Sequence, residues 1–391
     1  MGHSILCAIH IYCTSDISEE YPVKFTMKRG SAAAATLIAG SLVLTACSNS
    51  DNKGSSSDSG SDSKYQMADV TGELRGEGAS SQQNAMDNVF GPAFSQSGST
   101  LAYNATGSGA GQTQFIAGQV DFAGSDSPLK DNQVADAKKR CQGNDAWHLP
   151  MVIGPVAVAY NLNGVDDLTL STKTIAKIFK GEIKEWNDPA IAAENEGKQL
   201  PAEPINVVYR SDESGTSDNF QKFLKASSDG AWDTTGKSFP TATGSGANGS
   251  TGVAGQVAAT NGAITYVESG FTKNNDKIKV AKIDFGAGPV ELSSETVNKA
   301  LSGVKFKGDG NNLVVDSEAL YAERGEGQYP LVLTTYEIVC SKGYDEKTAG
   351  LVKNFMYTIL ENQNESLADQ GYIPVDGEFK SKLEKAVEAL Q

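Results

Sequence analysis

Histidine is scarce in this chain, and its scarcity restricts the chemistry available to the protein. The 391 residues include three histidines, of which His3 and His10 precede Met27. Zinc sites usually combine several histidine or cysteine ligands. We therefore expect no metal site, and nothing in the sequence points to a cofactor. A serine–histidine dyad would have to use His148, whose setting in WHLP (147–150) favours a structural role.

Basic residues are in the minority. Lysine and arginine number 33 against 48 aspartates and glutamates, which gives a formal net charge of −15. Such a composition does not suggest the basic surface patch that binds nucleic acid, so we expect no nucleic-acid partner. The overall charge also repels small anions, so local donors would have to hold any bound anion.

Three common functional motifs are also missing. The chain has no G-x-S-x-G sequence for a hydrolase serine. The stretch 230–238 resembles a P-loop but has one residue too many between its glycines, and no strand is evident before it. The acids around Ser214 lack the alternating spacing of an EF-hand loop.

The segment that starts at Met27 predicts a bacterial lipoprotein signal. Lys28 and Arg29 form a basic start, and residues 32–43 form an apolar run too short to span a bilayer comfortably. The following LTAC (44–47) resembles a lipobox, in which Cys47 would be lipidated. A plain secretory signal or a short anchor is the alternative.

This interpretation divides the N-terminal part of the chain into three segments. Residues 1–26 carry acids ahead of the basic start, and we interpret them as a start-site artefact or an unusual extension. Residues 27–46 would be the signal peptide. Residues 47–66 are rich in Ser, Asp and Gly and predict a flexible tether. The folded part would then be held at the outer face of the cytoplasmic membrane.

The five cysteines separate into groups under this interpretation. Cys7 and Cys13 precede Met27, and Cys47 would carry lipid. Cys141 and Cys340 remain as an even pair in an oxidising compartment. We expect a disulfide between them, and two buried thiols are the alternative.

The rest of the chain repeats a pattern of strand, glycine- and serine-rich loop, and helix, which predicts an α/β fold. The first N–H groups of a helix lack internal partners, and the helix dipole is positive there. Several such loops in one chain suggest convergence on one anion. The loops lie at 76–81, 107–111 and 210–218, with a possible fourth before the strand predicted at 263–267.

Four of these stretches resemble a known family. GEGASS, GSGAGQTQFIAGQVDFAGSDSPL, YRSDESGTS and AITYVESG are similar to segments of the periplasmic-type phosphate-binding proteins that serve the high-affinity phosphate ABC transporter. The resemblance extends over residues 69–391. It implies a type II periplasmic-binding-protein fold, with two discontinuous α/β lobes joined by crossing strands. Lobe one would comprise 67–155 and 335–391, and lobe two 156–334.

The resemblance also implies a set of ligand residues. Those matched to phosphate contacts are Ser80, Ser81, Ser108, Asp126, Arg210, Ser214, Gly215 and Thr216. Asp212 would pair with Arg210 and orient it. The family often has an aromatic residue and a proline after the first loop's hydroxyl, whereas this chain has Ser81 and Gln82. Glu213 and Asp218 are expected to face solvent as ordinary acids at a helix start.

The function implied is a monomeric binding protein, not an enzyme, that captures inorganic phosphate between its lobes and delivers it to an ABC permease. Two alternatives remain open at this stage. One is a binder of another tetrahedral oxyanion such as sulfate. The other is a surface esterase or phosphatase that uses Ser214, although the sequence supplies neither a serine elbow nor a suitably placed histidine for it.

Overall fold

The longest strand crosses the centre of the molecule. The computed structural model describes residues 63–240, 243–273, 275–308 and 310–391. The run LPMVIGPVAVAYN forms most of this central strand, β4 (Ala146–Asn161). Every residue of β4 from His148 onward is buried. A strand covered on both faces needs no alternation of polar and apolar residues, which explains the unbroken apolar run.

The strand β4 changes partners halfway along its length. Its first part, up to Pro155, pairs antiparallel with β14 (Val332–Cys340). Its second part, from Val156, pairs antiparallel with β8 (Ala263–Glu268). One strand therefore connects two groups of strands, as expected of a crossing strand in the two-lobed fold.

The described residues form fourteen strands and thirteen α-helical segments. In chain order the strands are β1 Glu73–Gly78, β2 Thr100–Asn104, β3 Phe122–Ser125, β4 Ala146–Asn161, β5 Thr169–Ser171, β6 Asn206–Arg210, β7 Ser245–Ala247, β8 Ala263–Glu268, β9 Lys279–Val280, β10 Lys282–Asp284, β11 Pro289–Val290, β12 Phe306–Lys307, β13 Val314–Val315 and β14 Val332–Cys340. The helices are α1 Gln83–Ala85, α2 Gly91–Gln96, α3 Ser108–Ile116, α4 Asp131–Arg140, α5 Thr172–Lys180, α6 Pro189–Ala193, α7 Gly215–Ser227, α8 Gly249–Ala259, α9 Ser294–Leu301, α10 Ser317–Tyr321, α11 Glu346–Glu361, α12 Glu365–Asp369 and α13 Gly377–Glu388.

Nine strands form the main sheet. Eight follow the order β2-β1-β3-β14-β4-β8-β6-β7, and β9 pairs with β4. The neighbours β1–β2, β1–β3, β6–β7 and β6–β8 are parallel, with the antiparallel pair β14–β4 between the two parallel groups. Ligands in open α/β sheets bind beyond the carboxyl ends of parallel strands, so this topology supplies two sets of suitable loops.

The start of the described chain packs against helix α11, near the C-terminal end. Tyr65 stacks on Tyr357 of α11, with ring centroids 4.6 Å apart. Ala68 donates its N–H to the side chain of Asn354 and accepts a bond from the same amide. Helix α11 in turn packs against β1 and α2. No helix in the part of the chain that the structure describes is long and apolar enough to cross a membrane.

Cys141 and Cys340 lie together in a small apolar cluster beside α3 and α4. Their Cα atoms are 5.4 Å apart and their sulfur atoms are bonded, which links positions 199 residues apart. This Cα separation lies within the range of natural disulfides. The link ties the end of α4 to the end of the crossing strand β14. Cys47, by contrast, lies outside the described residues.

We predict that peptide mapping under non-reducing conditions will find Cys141 linked to Cys340. Replacing both residues by serine should lower the free energy of unfolding, because the unfolded chain regains freedom. Loss of a native disulfide costs about 2–5 kcal/mol in small secreted domains, and we expect the lower end in a chain of this length. Protein that is made in an oxidising compartment and is alkylated at both sulfurs without reductant would contradict this prediction.

Candidate functional site

The residues matched to ligand contacts lie where strands end and helices begin. Ser80 and Ser81 follow β1, Ser108 starts α3 after β2, and Asp126 follows β3. On the other side of the crossing strands, Arg210 ends β6. The residues Ser214, Gly215 and Thr216 then open α7. Each of the eight is buried. The structure therefore brings together loops from both parallel groups of strands.

Asp126 is held by hydroxyl groups from three elements. Its Oδ1 accepts hydrogen bonds from Ser81 Oγ at 2.6 Å and from Thr335 Oγ1 at 2.8 Å. Its Oδ2 accepts one from Ser108 Oγ at 3.3 Å. Burial, and next the charge of Glu268, raise the pKa of Asp126 to about 6, although the hydroxyls of Ser81 and Thr335 and the charge of Arg210 oppose the rise. The carboxyl group is therefore ionised at neutral pH and becomes protonated as the pH falls through about 6.

Arg210 is fixed along one edge by Asp212. Its Nε donates to Asp212 Oδ1 at 2.8 Å and its Nη2 to Oδ2 at 2.5 Å. Burial opposes the ionised form of Asp212, but the bonds from Arg210 outweigh this effect and hold the pKa of Asp212 below its ordinary value. Nη1 lies 3.2 Å from Ser250 Oγ and 3.4 Å from Thr216 Oγ1. The fifth guanidinium hydrogen, the second one on Nη2, is not used by these partners and can bind an oxyanion.

The start of α7 supplies neutral donors. Ser214 is the N-cap, and its Oγ accepts from the N–H of Ser217 at 3.2 Å. The Ser214 hydroxyl hydrogen and the first N–H groups of the helix can then donate to a ligand. The Thr216 hydroxyl donates to Glu268 Oε1 at 2.6 Å, so the backbone N–H is the Thr216 donor left for a ligand.

Gly215 lies where α7 meets the loops of the opposite strand group. A Cβ atom at this position would lie 2.4 Å from Ser108 Oγ and 2.6 Å from Asp126 Cβ. Real Cβ atoms do not approach other atoms this closely, so only glycine fits. The close approach explains why the loop has glycine at this position.

Further contacts join the two sides of the site. Ser250 N donates to Ser80 Oγ at 3.0 Å, and the two hydroxyl oxygens are 3.1 Å apart. Gly109 N donates to the carbonyl of Glu213 at 2.9 Å. Lys237 Nζ donates to Gln112 Oε1 at 2.6 Å. The walls of the site therefore contact each other directly, as in a closed cleft.

One expectation about the start of α7 was wrong. Glu213 is exposed, as predicted, but Asp218 is buried. The carboxylate of Asp218 accepts hydrogen bonds from Ser127 Oγ at 2.6 Å and Lys222 Nζ at 2.7 Å. Ser127 belongs to the loop that carries Asp126. Asp218 therefore helps to join α7 to that loop, in addition to being favoured by the helix dipole.

Three buried residues of the site were not identified from the sequence. Ser250, at the start of α8, contacts both Ser80 and Arg210. The possible fourth glycine-rich loop was the signal that could have identified it. Thr335 on β14 and Glu268 on β8 lie within strands whose burial gives no sequence signal of a ligand role.

The geometry does not support a catalytic serine. The Nε2 of His148 accepts from the N–H of Leu129 at 3.0 Å, and its Nδ1 lies 2.8 Å from Asn312 Oδ1. Burial lowers the pKa of His148 to about 4. Both ring nitrogens are therefore engaged away from Ser214. Within the described ranges, no group of His, Cys, Asp and Glu residues could hold a metal ion.

Comparison with known proteins agrees with this geometry. A family model described as a PBP superfamily domain matches residues 56–362. Phosphate-binding protein PstS 3 of Mycobacterium tuberculosis is 45% identical over 93% of this chain and 99% of its own length. Phosphate-binding protein PstS of Pasteurella multocida is 31% identical over 74% of this chain and 82% of its own length.

Solved structures share the fold. A periplasmic phosphate-binding protein, PfluDING, bound with phosphate, superposes with a TM-score of 0.65 at 22% identity, over 80% of this chain and 93% of that one. The phosphate-binding protein of Stenotrophomonas maltophilia gives a TM-score of 0.62 at 20% identity, over the same shares. The fold and the site thus define a solute-binding protein of the PBP superfamily. Within that superfamily, the chain belongs to the PstS phosphate-binding proteins of phosphate ABC transporters.

We predict that Arg210→Ala will weaken binding of inorganic phosphate at least roughly tenfold, since a hydrogen bond to a charged group contributes about 1.5–3 kcal/mol. The substitution also leaves the buried Asp212 without its partner, close to the anion. Calorimetric titration measures the effect, and the circular dichroism spectrum checks the fold.

Arg75→Ala is the matched control. Arg75 also pairs with an aspartate, Asp121, at 3.0 Å, but its side chain is 52% exposed and lies outside the site. Phosphate affinity should therefore survive this change. If Arg210→Ala kept its affinity as well as its fold, the site would lie elsewhere.

Proposed function

We propose that this chain captures inorganic phosphate between its two lobes and delivers it to the permease of a phosphate ABC transporter. The proposed ligand groups are the eight buried residues named above, with Ser250 added. The proposal rests chiefly on one observation. The site contains one fixed guanidinium, that of Arg210, and one fixed hydrogen-bond acceptor, the carboxylate of Asp126. The names of the curated relatives support the same ligand.

The carboxylate of Asp126 gives the site its selectivity. Like charges repel, so a carboxylate beside an anion is unfavourable unless a proton lies between them. Phosphate still carries at least one proton near neutral pH, whereas sulfate carries none. Asp126 can accept a hydrogen bond from the O–H of phosphate and can only repel sulfate. An acceptor that faces another acceptor in a buried site is costly.

This charge arrangement separates the proposed function from its alternatives. A sulfate binder needs donors at every ligand oxygen, and Asp126 offers an acceptor. An esterase needs a base within reach of Ser214, and the nitrogens of His148 are engaged by Leu129 and Asn312. The chain is accordingly a binding protein rather than an enzyme, as its curated relatives are.

We predict that Asp126→Asn will narrow the preference for phosphate over sulfate. The affinity for sulfate should rise, because the amide offers a hydrogen-bond donor. The wild-type preference should narrow in the same way as the pH falls through about 6, where Asp126 gains a proton and can donate. Phosphate itself titrates over that interval in both proteins, so the contribution of Asp126 is the difference between the wild-type and the variant profiles. Competitive binding of both anions between about pH 5 and pH 8 measures both effects.

Asp121→Asn is the matched control for loss of a buried aspartate. Asp121 is 8% exposed and bonds Arg75, outside the site, so sulfate should still be rejected. If Asp126→Asn excluded sulfate as strongly as wild type does at neutral pH, Asp126 would not be the selectivity element.

We further propose that the protein acts as a monomer held by a lipid on Cys47, which lies outside the described residues. The expected tether, 47–66, would lead from the lipid to the folded part, and its last residues already pack there, since Tyr65 stacks on Tyr357. A binding protein held close to its permease is at high effective concentration there.

We predict that protein extracted from membranes will begin at lipidated Cys47, which intact-mass analysis can measure. Cys47→Ala should release the protein or leave it unprocessed, because the modified sulfur is lost. A soluble wild-type protein that begins elsewhere, or a form that retains residues 1–46, would contradict the assignment.

A further inference from the structure

Glu268 is a buried acid that contacts the site but has no place in the function argued so far. It is the last residue of β8 and pairs with Val156, where the crossing strand changes partners. Its side chain is 1% exposed. Oε1 accepts the hydroxyl of Thr216 at 2.6 Å. Oε2 has no hydrogen-bond partner among the residues described.

A buried carboxyl oxygen without a partner is unfavourable and requires an explanation. The neighbouring hydroxyl groups do not supply a partner. Tyr266 shares a hydrogen bond with Ser217 at 2.6 Å. Tyr372 donates to the carbonyl of Ser81 at 2.7 Å. The missing partner of Oε2 is therefore a group that these side chains do not provide.

The charges around Glu268 point to the nature of that partner. The charges of Asp126, in the loop after β3, and of Arg210, at the end of β6, act on it, and Asp212 holds the guanidinium of Arg210. Three carboxyl groups thus share one guanidinium, which Asp212 already holds. Adding a phosphate anion to this set increases the negative charge further. A second proton, beyond the one that faces Asp126, would relieve the repulsion.

We propose that Glu268 is a second specificity-determining residue of the phosphate site and that one proton is shared between its Oε2 and a phosphate oxygen. The proposal rests on the proposed function. In the complex, phosphate, Asp126 and Glu268 together hold two protons, one on the Asp126 side and one on the Glu268 side. When phosphate arrives with a single proton, the second proton is taken up from solvent on binding.

The test compares a substitution that can still donate with one that cannot. Glu268→Gln keeps an oxygen for Thr216 and offers an amide hydrogen to phosphate, so affinity at neutral pH should change little. Glu268→Met has a similar length but no such donor, so affinity should fall roughly tenfold or more. Calorimetric titration with inorganic phosphate measures both. Glu268→Ala replaces Glu268→Met if the latter does not fold.

Glu337 offers a matched control. It is also a fully buried acid with an unpartnered oxygen, but it lies on β14 and its contact is Gln82 Nε2 at 3.4 Å. Glu337→Gln should leave phosphate affinity unchanged. The double variant Thr216→Val/Glu268→Met should bind phosphate more weakly than Thr216→Val alone. Such a result means that Glu268 acts on the ligand and not only through Thr216.

Each other outcome overturns the proposal. Retention of affinity in both Glu268 variants would place Glu268 outside the site. Loss in both, with the fold intact, would mean that Glu268 acts as a charged group without a shared proton. No additional loss in the Thr216→Val background would make Glu268 a positioning residue only. A wild-type chain that does not bind phosphate would instead overturn the proposed function.

Discussion

The buried pair of Arg210 and Asp212 is the interaction on which the site depends. A protein with a formal net charge of −15 cannot attract a small anion through its overall field, so a local cation must be buried and held in one orientation. Two hydrogen bonds that Arg210 donates to Asp212 provide that orientation. Because Asp212 offsets the charge of Arg210, the proposed site also relies on neutral hydroxyl and N–H donors at helix starts to stabilise an anion. Asp126 can then stay ionised at neutral pH and select for a protonated oxyanion.

The sheet brings these groups together. The loops that carry Ser81, Ser108 and Asp126 follow one set of parallel strands, and those that carry Arg210 and Ser250 belong to the other. The crossing strands β4 and β14 connect the two sets, and β4 changes partners between Pro155 and Val156. Thr335 and Glu268 lie on strands beside this change of partners, at the base of the site. The same topology therefore accounts for convergence of the loops and for the position of these two polar side chains beside the site.

Much of this arrangement could be predicted from the sequence, because it depends on local rules. Glycine and serine at helix starts identify donors such as Ser214, whereas the crossing strands were implied only by the family resemblance. The fold class and the PstS family are confirmed, whereas the lobe limits, including the division between 155 and 156, remain predictions. The burial of Asp218 could not be predicted, since it results from a tertiary bond to Ser127. Ser250, Thr335 and Glu268 depend on packing between elements distant in the chain, which a single sequence does not reveal.

Calorimetric titration of the purified protein with phosphate, arsenate and sulfate at neutral pH tests the central claim most directly. Arsenate shares both the shape and the protonation of phosphate, whereas sulfate shares only the shape. The account predicts that phosphate and arsenate bind one site with the same stoichiometry and that sulfate does not compete. Comparable binding of sulfate and phosphate would contradict selection by a proton, and failure of phosphate to bind would contradict the site itself.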